Sequence, residues 1–235
     1  MANPIVENFR EGELRSRRSH LAMYIRSRAK VIDARTGYVS IEEVNQRTDP
    51  MILQASAEIT KGLFLDKLPA DFKPEVVIGV PNRGKSFSVA LGINTGLPIS
   101  ETDRTLIKDD QNKDFNVEYD QKENTVYING IPSFTRKGEL FSHKLRGVRP
   151  DSAVLVADDF CATGAVTEYY LKAFEELNIK PIFVYIVAKD FNDSDPPQKG
   201  YRKFKEENLP VFAIVRLTEI ENSHVVVTAD DILTS

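Results

Sequence analysis

The chain has no tryptophan, one cysteine and three histidines among its 235 residues. A single Cys161 excludes any internal disulfide, which suits a reducing compartment and predicts a cytoplasmic protein. His20, His143 and His224 are far apart and follow no metal-ligand spacing, so no zinc site is expected. No apolar run approaches the length of a membrane span. The first residues, MANPIVENFREGELRSRR, lack the apolar core of a signal peptide. Charge of neither sign dominates. The net charge of −4 is a mild acidity that argues against general nucleic-acid binding. There is no internal repeat and no low-complexity linker. What is left is a chain long enough to bury a substantial core, as one large domain or one domain with an elaborated hood.

The middle of the chain alternates strand and helix signals. Asp49 and Pro50 read as an N-cap and first helical residue, and Ile52, Ala55, Ile59, Leu63 and Phe64 mark one helical face. Residues 75–79 (EVVIG) form a short buried strand, followed by a loop and a helix over residues 87–93; residues 97–99 form another strand. Residues 101–124 are polar and charged and read as a loop. TVYINGIPSF and GELFSHKL, on either side of residues 135–138, suggest a β-hairpin or flap. PIFVYIVA and PVFAIVRL are two further buried strands. This alternation predicts an α/β fold, a mainly parallel sheet flanked by helices.

The most informative stretch is VLVADDFCATGAVTEYYLKAF, residues 154–174. A buried strand ends in two adjacent carboxylates, Asp158 and Asp159. A loop of small residues follows, and then a helix whose apolar positions include Val166, Tyr169, Tyr170, Ala173 and Phe174. The N–H groups of such a loop and of the helix start suit a phosphate dianion. Two acids beside it can hold vicinal hydroxyls or a metal. A phosphate site next to a diol site is what a ribose 5-phosphate requires. The plain alternative, a strand end with a capping Asp, accounts for one acid and not for the whole string.

A second motif admits two readings. GVPNRGKS, residues 79–86, matches the P-loop pattern G-x-x-x-x-G-K-S/T, and VLVADD could serve as its magnesium-holding strand. Residues 80–84 could instead be a pyrophosphate loop, since both kinds of loop bind polyphosphate through backbone N–H groups. A P-loop enzyme has no need for the ATGA loop that opens a helix straight after its acids.

Residues 154–174 resemble the phosphoribosyl-pyrophosphate (PRPP) signature of the type I phosphoribosyltransferases. That resemblance implies ribose-hydroxyl acids at Asp158 and Asp159, and a 5-phosphate loop at Ala162, Thr163, Gly164, Ala165 and Val166. Cys161 stands where an aliphatic residue is usual. Val166 stands for a usual Ser, Thr or Ala, which leaves the phosphate more dependent on Thr163 and on backbone donors. Pro81, Asn82, Arg83 and Gly84 then form the pyrophosphate loop, similar to the Ser-Arg-Gly version in adenine phosphoribosyltransferases. Residues 38–59 are similar to the N-terminal hood of bacterial xanthine phosphoribosyltransferases, and with Lys189 and Phe191 this implies base contacts at Tyr38, Asn45, Lys189 and Phe191. IPSFTRKGE, residues 131–139, resembles that family's flap. Arg104 and Lys108, or Arg136 and Lys137 in the flap, would close over the site. The resemblance implies Mg2+ bound with PRPP, a homodimer, and the division 1–37 N-terminal extension, 38–235 phosphoribosyltransferase domain.

A Lys ammonium is only a donor, so Lys189 favours a carbonyl, and the expected acceptor is a 6-oxopurine with xanthine favoured. Lys189 could equally be a solvent-facing strand end, and Asn45 a turn residue. Adenine and orotate remain alternative acceptors, and a P-loop nucleoside triphosphatase an alternative class. A PRPP-sensing regulator on the same fold is a third class, in which Arg15, Arg17, Arg18, Arg26, Arg28 and Lys30 could touch DNA. The segment before the hood leaves little room for a winged helix, so this run reads instead as a solvated helix face or an oligomer contact.

Overall fold

The computed structural model describes residues 4–47, 49–68, 72–108, 114–133 and 138–229. In chain order its elements are α1 (Pro4–Arg28), β1 (Lys30–Asp33), β2 (Tyr38–Ser40), α2 (Glu42–Asn45), α3 (Pro50–Leu63), a 3-10 turn (Leu65–Lys67), β3 (Val76–Gly79), α4 (Gly84–Thr95) and β4 (Ile99–Ser100). Then follow β5 (Thr102–Leu106), β6 (Asn116–Asp120), β7 (Thr125–Pro132), β8 (Leu140–Arg146), β9 (Ala153–Cys161), α5 (Ala165–Glu176), β10 (Lys180–Lys189), α6 (Gly200–Glu206), β11 (Val211–Glu221) and β12 (His224–Thr228). The main sheet has the strand order β12-β11-β10-β9-β3-β4. Its β3–β4, β3–β9 and β10–β11 pairs are parallel, and β12 joins β11 antiparallel. A separate antiparallel sheet has the order β5-β8-β7-β6, and β1 pairs with β2 as a hairpin. The expected α/β class with a mainly parallel sheet is what the chain forms.

The chain divides into two compact units: Met1–Asp71, Asp158–Gly164 and Phe183–Ser235 form the first, Phe72–Ala157 and Ala165–Ile182 the second. In the first, α1 buries Leu14, Leu21, Ala22 and Ile25. α3 begins as its sequence dictates: Pro50 is at its first position, and the Asp49 carboxylate accepts the Met51 N–H at 2.8 Å. Its inward face is turned from the expected one and carries Ile52, Ser56, Ala57, Ile59 and Thr60. The small residues permit close approach of α1, so that a side chain at Gly62 would meet Leu14. Arg18 is buried on α1. Its Nε and Nη2 donate to the Ile214 and Ala213 carbonyls of β11 at 2.7 and 2.9 Å.

In the second unit β3 is buried throughout and its Val76–Gly79 pair with residues 154–157 of β9, the run of apolar residues expected of a parallel strand covered on both faces. The segment 101–124, read from its charge as a loop, contains β5 and β6. β5 pairs with β8 and β6 with β7. An antiparallel sheet can leave one face wet, so polar side chains at alternate positions are compatible with pairing. The expected hairpin is β7–β8, and residues 134–137 at its turn lie outside the described residues. The strand expected at 97–99 is shifted to Ile99–Ser100.

Candidate active site

Along a strand, successive side chains point to opposite faces. At the end of β9 this separates Asp158 and Phe160, both partly exposed, from Asp159 and Cys161, both buried. The Asp158 carboxylate accepts the Asp159 N–H, and the Asp159 carboxylate accepts the Phe160 N–H, each at 2.9 Å. The strand then turns through Ala162 and Thr163 to Gly164, whose φ of 84° is the left-handed region that favours glycine. Ala165 opens α5, and Val166 is its second residue. The order of strand, acidic pair, small loop and helix read from the sequence is therefore the order in the fold. Burial pushes the Cys161 thiol well up, and the nearby Asp158 charge adds to this, so the thiol stays protonated.

The first unit also brings together residues proposed for the base. Lys189 ends β10 and is only 6% exposed. Its ammonium donates to the Gly37 carbonyl at 3.2 Å and lies 5.8 Å from the Tyr38 ring centroid and 5.5 Å from that of Phe160. Tyr38 is half exposed, whereas Phe191 is buried and lies so near Gly37 that a side chain there would come within 2.9 Å of its ring. The turn before Tyr38 is also held by Gln198, whose amide donates to the Thr36 carbonyl at 2.8 Å, and by the Asp195 N–H on the Arg35 carbonyl at 2.8 Å. Asn45 closes α2, and its side chain falls outside the described residues. Phe160 and Gly37 were not singled out from the sequence. The period-2 alternation that puts Phe160 on the Asp158 face was the available signal for the first, and none existed for the second.

In the second unit, Pro81 and Gly84 are buried while Asn82 and Arg83 are exposed. The Pro81–Asn82 peptide is cis, and the Gly84 N–H donates to the Val80 carbonyl at 2.9 Å. Lys85 is already the second residue of α4, and its ammonium lies 3.5 Å from the Asp103 carboxylate. Arg146 donates to the same carboxylate at 2.7 Å, and chiefly this bond holds the Asp103 pKa below its usual range. Arg104 is a strand residue in β5 rather than a loop residue, with its guanidinium 3.5 Å from the Phe141 ring centroid. Lys108 is exposed just after β5. Arg136 and Lys137 lie outside the described residues.

Four of the six basic residues of the N-terminal run are paired or buried, and Arg26 and Lys30 are exposed. Arg15 pairs with Glu11, Arg17 with Glu13 and Glu58, and Arg28 with Glu43, while Arg18 is buried. Among the described residues no group of three His, Cys, Asp or Glu could hold a metal by itself, and no helix is long and apolar enough to cross a membrane. In the first unit a cavity of about 580 Å³ is lined by Arg35, Phe191 and Glu219, and one of about 600 Å³ by Arg26, Lys30 and His224.

This is the fold of the type I phosphoribosyltransferases. Adenine phosphoribosyltransferase from Giardia lamblia, solved with 9-deazaadenine, superposes with a TM-score of 0.57 at 14% identity, over 83% of this chain and 97% of that one. The enzyme from Trypanosoma brucei, solved with AMP, pyrophosphate and ribose 5-phosphate, gives 0.58 at 13% identity, over 83% and 79%. That from Rhodothermus marinus gives 0.55 at 13%, over 85% and 99%. No protein-family model matches the chain, and no curated protein matches it significantly.

Proposed function

We propose that the chain is a PRPP-dependent purine phosphoribosyltransferase, which transfers ribose 5-phosphate to a 6-oxopurine, xanthine favoured, and releases pyrophosphate. The observation that carries this reading is the end of β9, where two adjacent carboxylates run directly into a loop of small residues that opens α5. A phosphoribosyltransferase fold is the context in which that string serves a ribose phosphate.

Asp158 and Asp159 bind and orient the ribose hydroxyls. The N–H groups of residues 162–166 and the start of α5 take the 5-phosphate. Residues 81–84 receive the pyrophosphate, with Arg83 its cation. As the bond from C1 to pyrophosphate breaks, positive charge develops on the ribose, and the purine nitrogen attacks from the opposite face. Positioning and leaving-group electrostatics supply the rate, with no covalent nucleophile. Lys189 donates to a purine carbonyl, and Tyr38 and Phe160 offer ring faces. The partly exposed Asp158, with Asp159 beside it, would supply carboxylate to an Mg2+ ion bound with PRPP. When bound, it would offset the charge of the leaving pyrophosphate.

A second acceptor has its own support. Asn82-Arg83-Gly84 resembles the Ser-Arg-Gly loop of adenine phosphoribosyltransferases, and the superposable structures are adenine enzymes. The test is a panel of xanthine, guanine, hypoxanthine, adenine and orotate with PRPP and Mg2+, scored for nucleotide and pyrophosphate. The proposal expects stoichiometric formation of both with a 6-oxopurine. Formation with adenine alone selects the second reading, and formation with no base overturns both.

A further inference from the structure

We infer that α6 is a buttress for the 5-phosphate loop, with Gly200 as a positioning residue and the Asp190–Arg202 ion pair as the tether that holds the helix in place. The inference rests on reading residues 162–166 as the phosphate cradle, and it adds a part that the signature itself does not contain.

The loop and the helix meet backbone to backbone. The Gly200 N–H donates to the Ala162 carbonyl at 2.9 Å. A Cβ at Gly200 would fall on Gly164 N and lie 2.5 Å from Gly164 Cα and Thr163 C. A Cβ at Gly164 would in turn lie 2.6 Å from Phe204 Cζ and 2.9 Å from Gly200 Cα. Phe204 is fully buried, so the helix side of this contact is filled. Ordinary contact for a Cβ begins near 3.4 Å. Any side chain at Gly200 therefore requires the Thr163–Gly164 backbone, or the helix, to retreat by about an ångström.

A second set of bonds sets the position of the helix. Arg202 holds Asp190 in a bidentate pair, Nε to Oδ1 and Nη2 to Oδ2, both at 2.8 Å. Asp190 is buried and also receives Arg216 at 3.1 Å. Asp190 directly follows Lys189 at the end of β10, so one tether relates the phosphate loop to the strand end that carries the proposed base lysine. A cradle made chiefly of backbone N–H groups has little freedom to adjust through its side chains. Its donors must stay within hydrogen-bond reach, about 2.7–3.2 Å, of fixed phosphate oxygens, and a shift of an ångström is enough to lose them. α6 thus fixes donor geometry without itself touching the ligand.

The experiment is titration calorimetry of the full chain with ribose 5-phosphate and, separately, with pyrophosphate, in the unmodified protein and in Gly200→Ala, Arg202→Met and Arg202→Lys. Gly200→Ala is expected to weaken ribose 5-phosphate by about tenfold or more and to leave pyrophosphate within about twofold. Arg202→Met leaves Asp190 paired with Arg216, so no buried carboxylate is stranded and the chain folds even where Gly200→Ala does not. It is expected to weaken ribose 5-phosphate about threefold, with Arg202→Lys recovering only part of the loss, because a single ammonium cannot replace the two parallel bonds of the guanidinium. A role confined to stability would lower the melting temperature and leave the ratio of the two affinities unchanged. That result, or Arg202→Met binding ribose 5-phosphate as the unmodified chain does, overturns the inference and leaves the transferase reading intact. An unmodified chain that binds neither ribose 5-phosphate nor pyrophosphate overturns the transferase reading and this inference with it.

Discussion

Replacing Lys189 by methionine addresses the choice of acceptor. The side chain is almost buried, and its ammonium bonds the Gly37 carbonyl at 3.2 Å and lies under 6 Å from the Tyr38 and Phe160 ring centroids. Methionine keeps the length and apolar contacts of the stem and removes the donors. Xanthine has a carbonyl at C2, where guanine has an amine and hypoxanthine a hydrogen. A buried carbonyl left without its donor costs ~1–3 kcal/mol. At about 1.4 kcal/mol per factor of ten, that is roughly ten- to hundredfold in kcat/KM. Lys189→Met should therefore lower kcat/KM for xanthine by that factor, hold the KM for PRPP within about threefold, and erase the preference over guanine. Continuous detection of pyrophosphate with each base at saturating PRPP measures all three. Loss of the Gly37 bond also costs stability, so a urea unfolding curve is run alongside to confirm that the variant is folded at the assay temperature. Equal losses with every base, or an unmodified chain that prefers adenine or orotate, would refute the base assignment of Tyr38, Asn45 and Lys189. The acids and the phosphate loop would be untouched by that result.

Asp158→Asn and Asp159→Asn should each reduce turnover by about a hundredfold with a native circular dichroism spectrum, because the ribose then loses its orienting acceptors; PRPP affinity and rate unchanged in both would remove the site. Lys85→Ala should stay within about threefold of full activity, since Lys85 faces Asp103, whereas Arg83→Ala should lose about tenfold; abolished activity in Lys85→Ala alone would turn the assignment toward a P-loop enzyme. Burial, with Arg104 nearby, holds the His143 pKa down at about 3. His143 is neutral when folded but takes a proton below about 6.5 when unfolded, so its contribution is complete above that pH and falls by at most ~1.4 kcal/mol per unit as pH drops toward 3. His143→Gln, which can still face the Tyr170 hydroxyl (3.0 Å from Nδ1), should flatten the decline in urea stability between about pH 7 and 5; identical slopes in the two proteins would show that His143 does not titrate this way.

What could be read from the sequence was local in the chain. The acids, the small loop and the start of α5 lie within a few residues, so their order could be read without the fold. The start of α3 at Asp49-Pro50 was legible for the same reason. The strands β5 and β6 were not, because Thr102–Leu106 and Asn116–Asp120 pair through a wet-faced sheet in which charged side chains hide the alternation. Arg18 read as one member of a basic run. Its burial depends on the carbonyls of Ala213 and Ile214, nearly two hundred residues away, and no periodicity within α1 encodes that. Gly37 and Gly200 are of the same kind: each matters through a close approach by a distant segment, Phe191 to the first and Gly164 to the second.

The same distinction bears on how the two acids of β9 share their task. Adjacent residues on a strand cannot present their side chains to one face, and the burial pattern divides them, with Asp158 beside Phe160 on the accessible side and Asp159 beside Cys161 on the buried one. A ligand approaching from the Asp158 face meets that carboxylate first, along with an aromatic ring one step further on. Asp159 is 5% exposed, and its carboxylate is folded back on the Phe160 N–H. The acidic pair that reads as a repeated letter in the sequence is thus two different groups in the fold, and Phe160, which the sequence offers as a spacer between motif residues, shares the accessible face with the first of them.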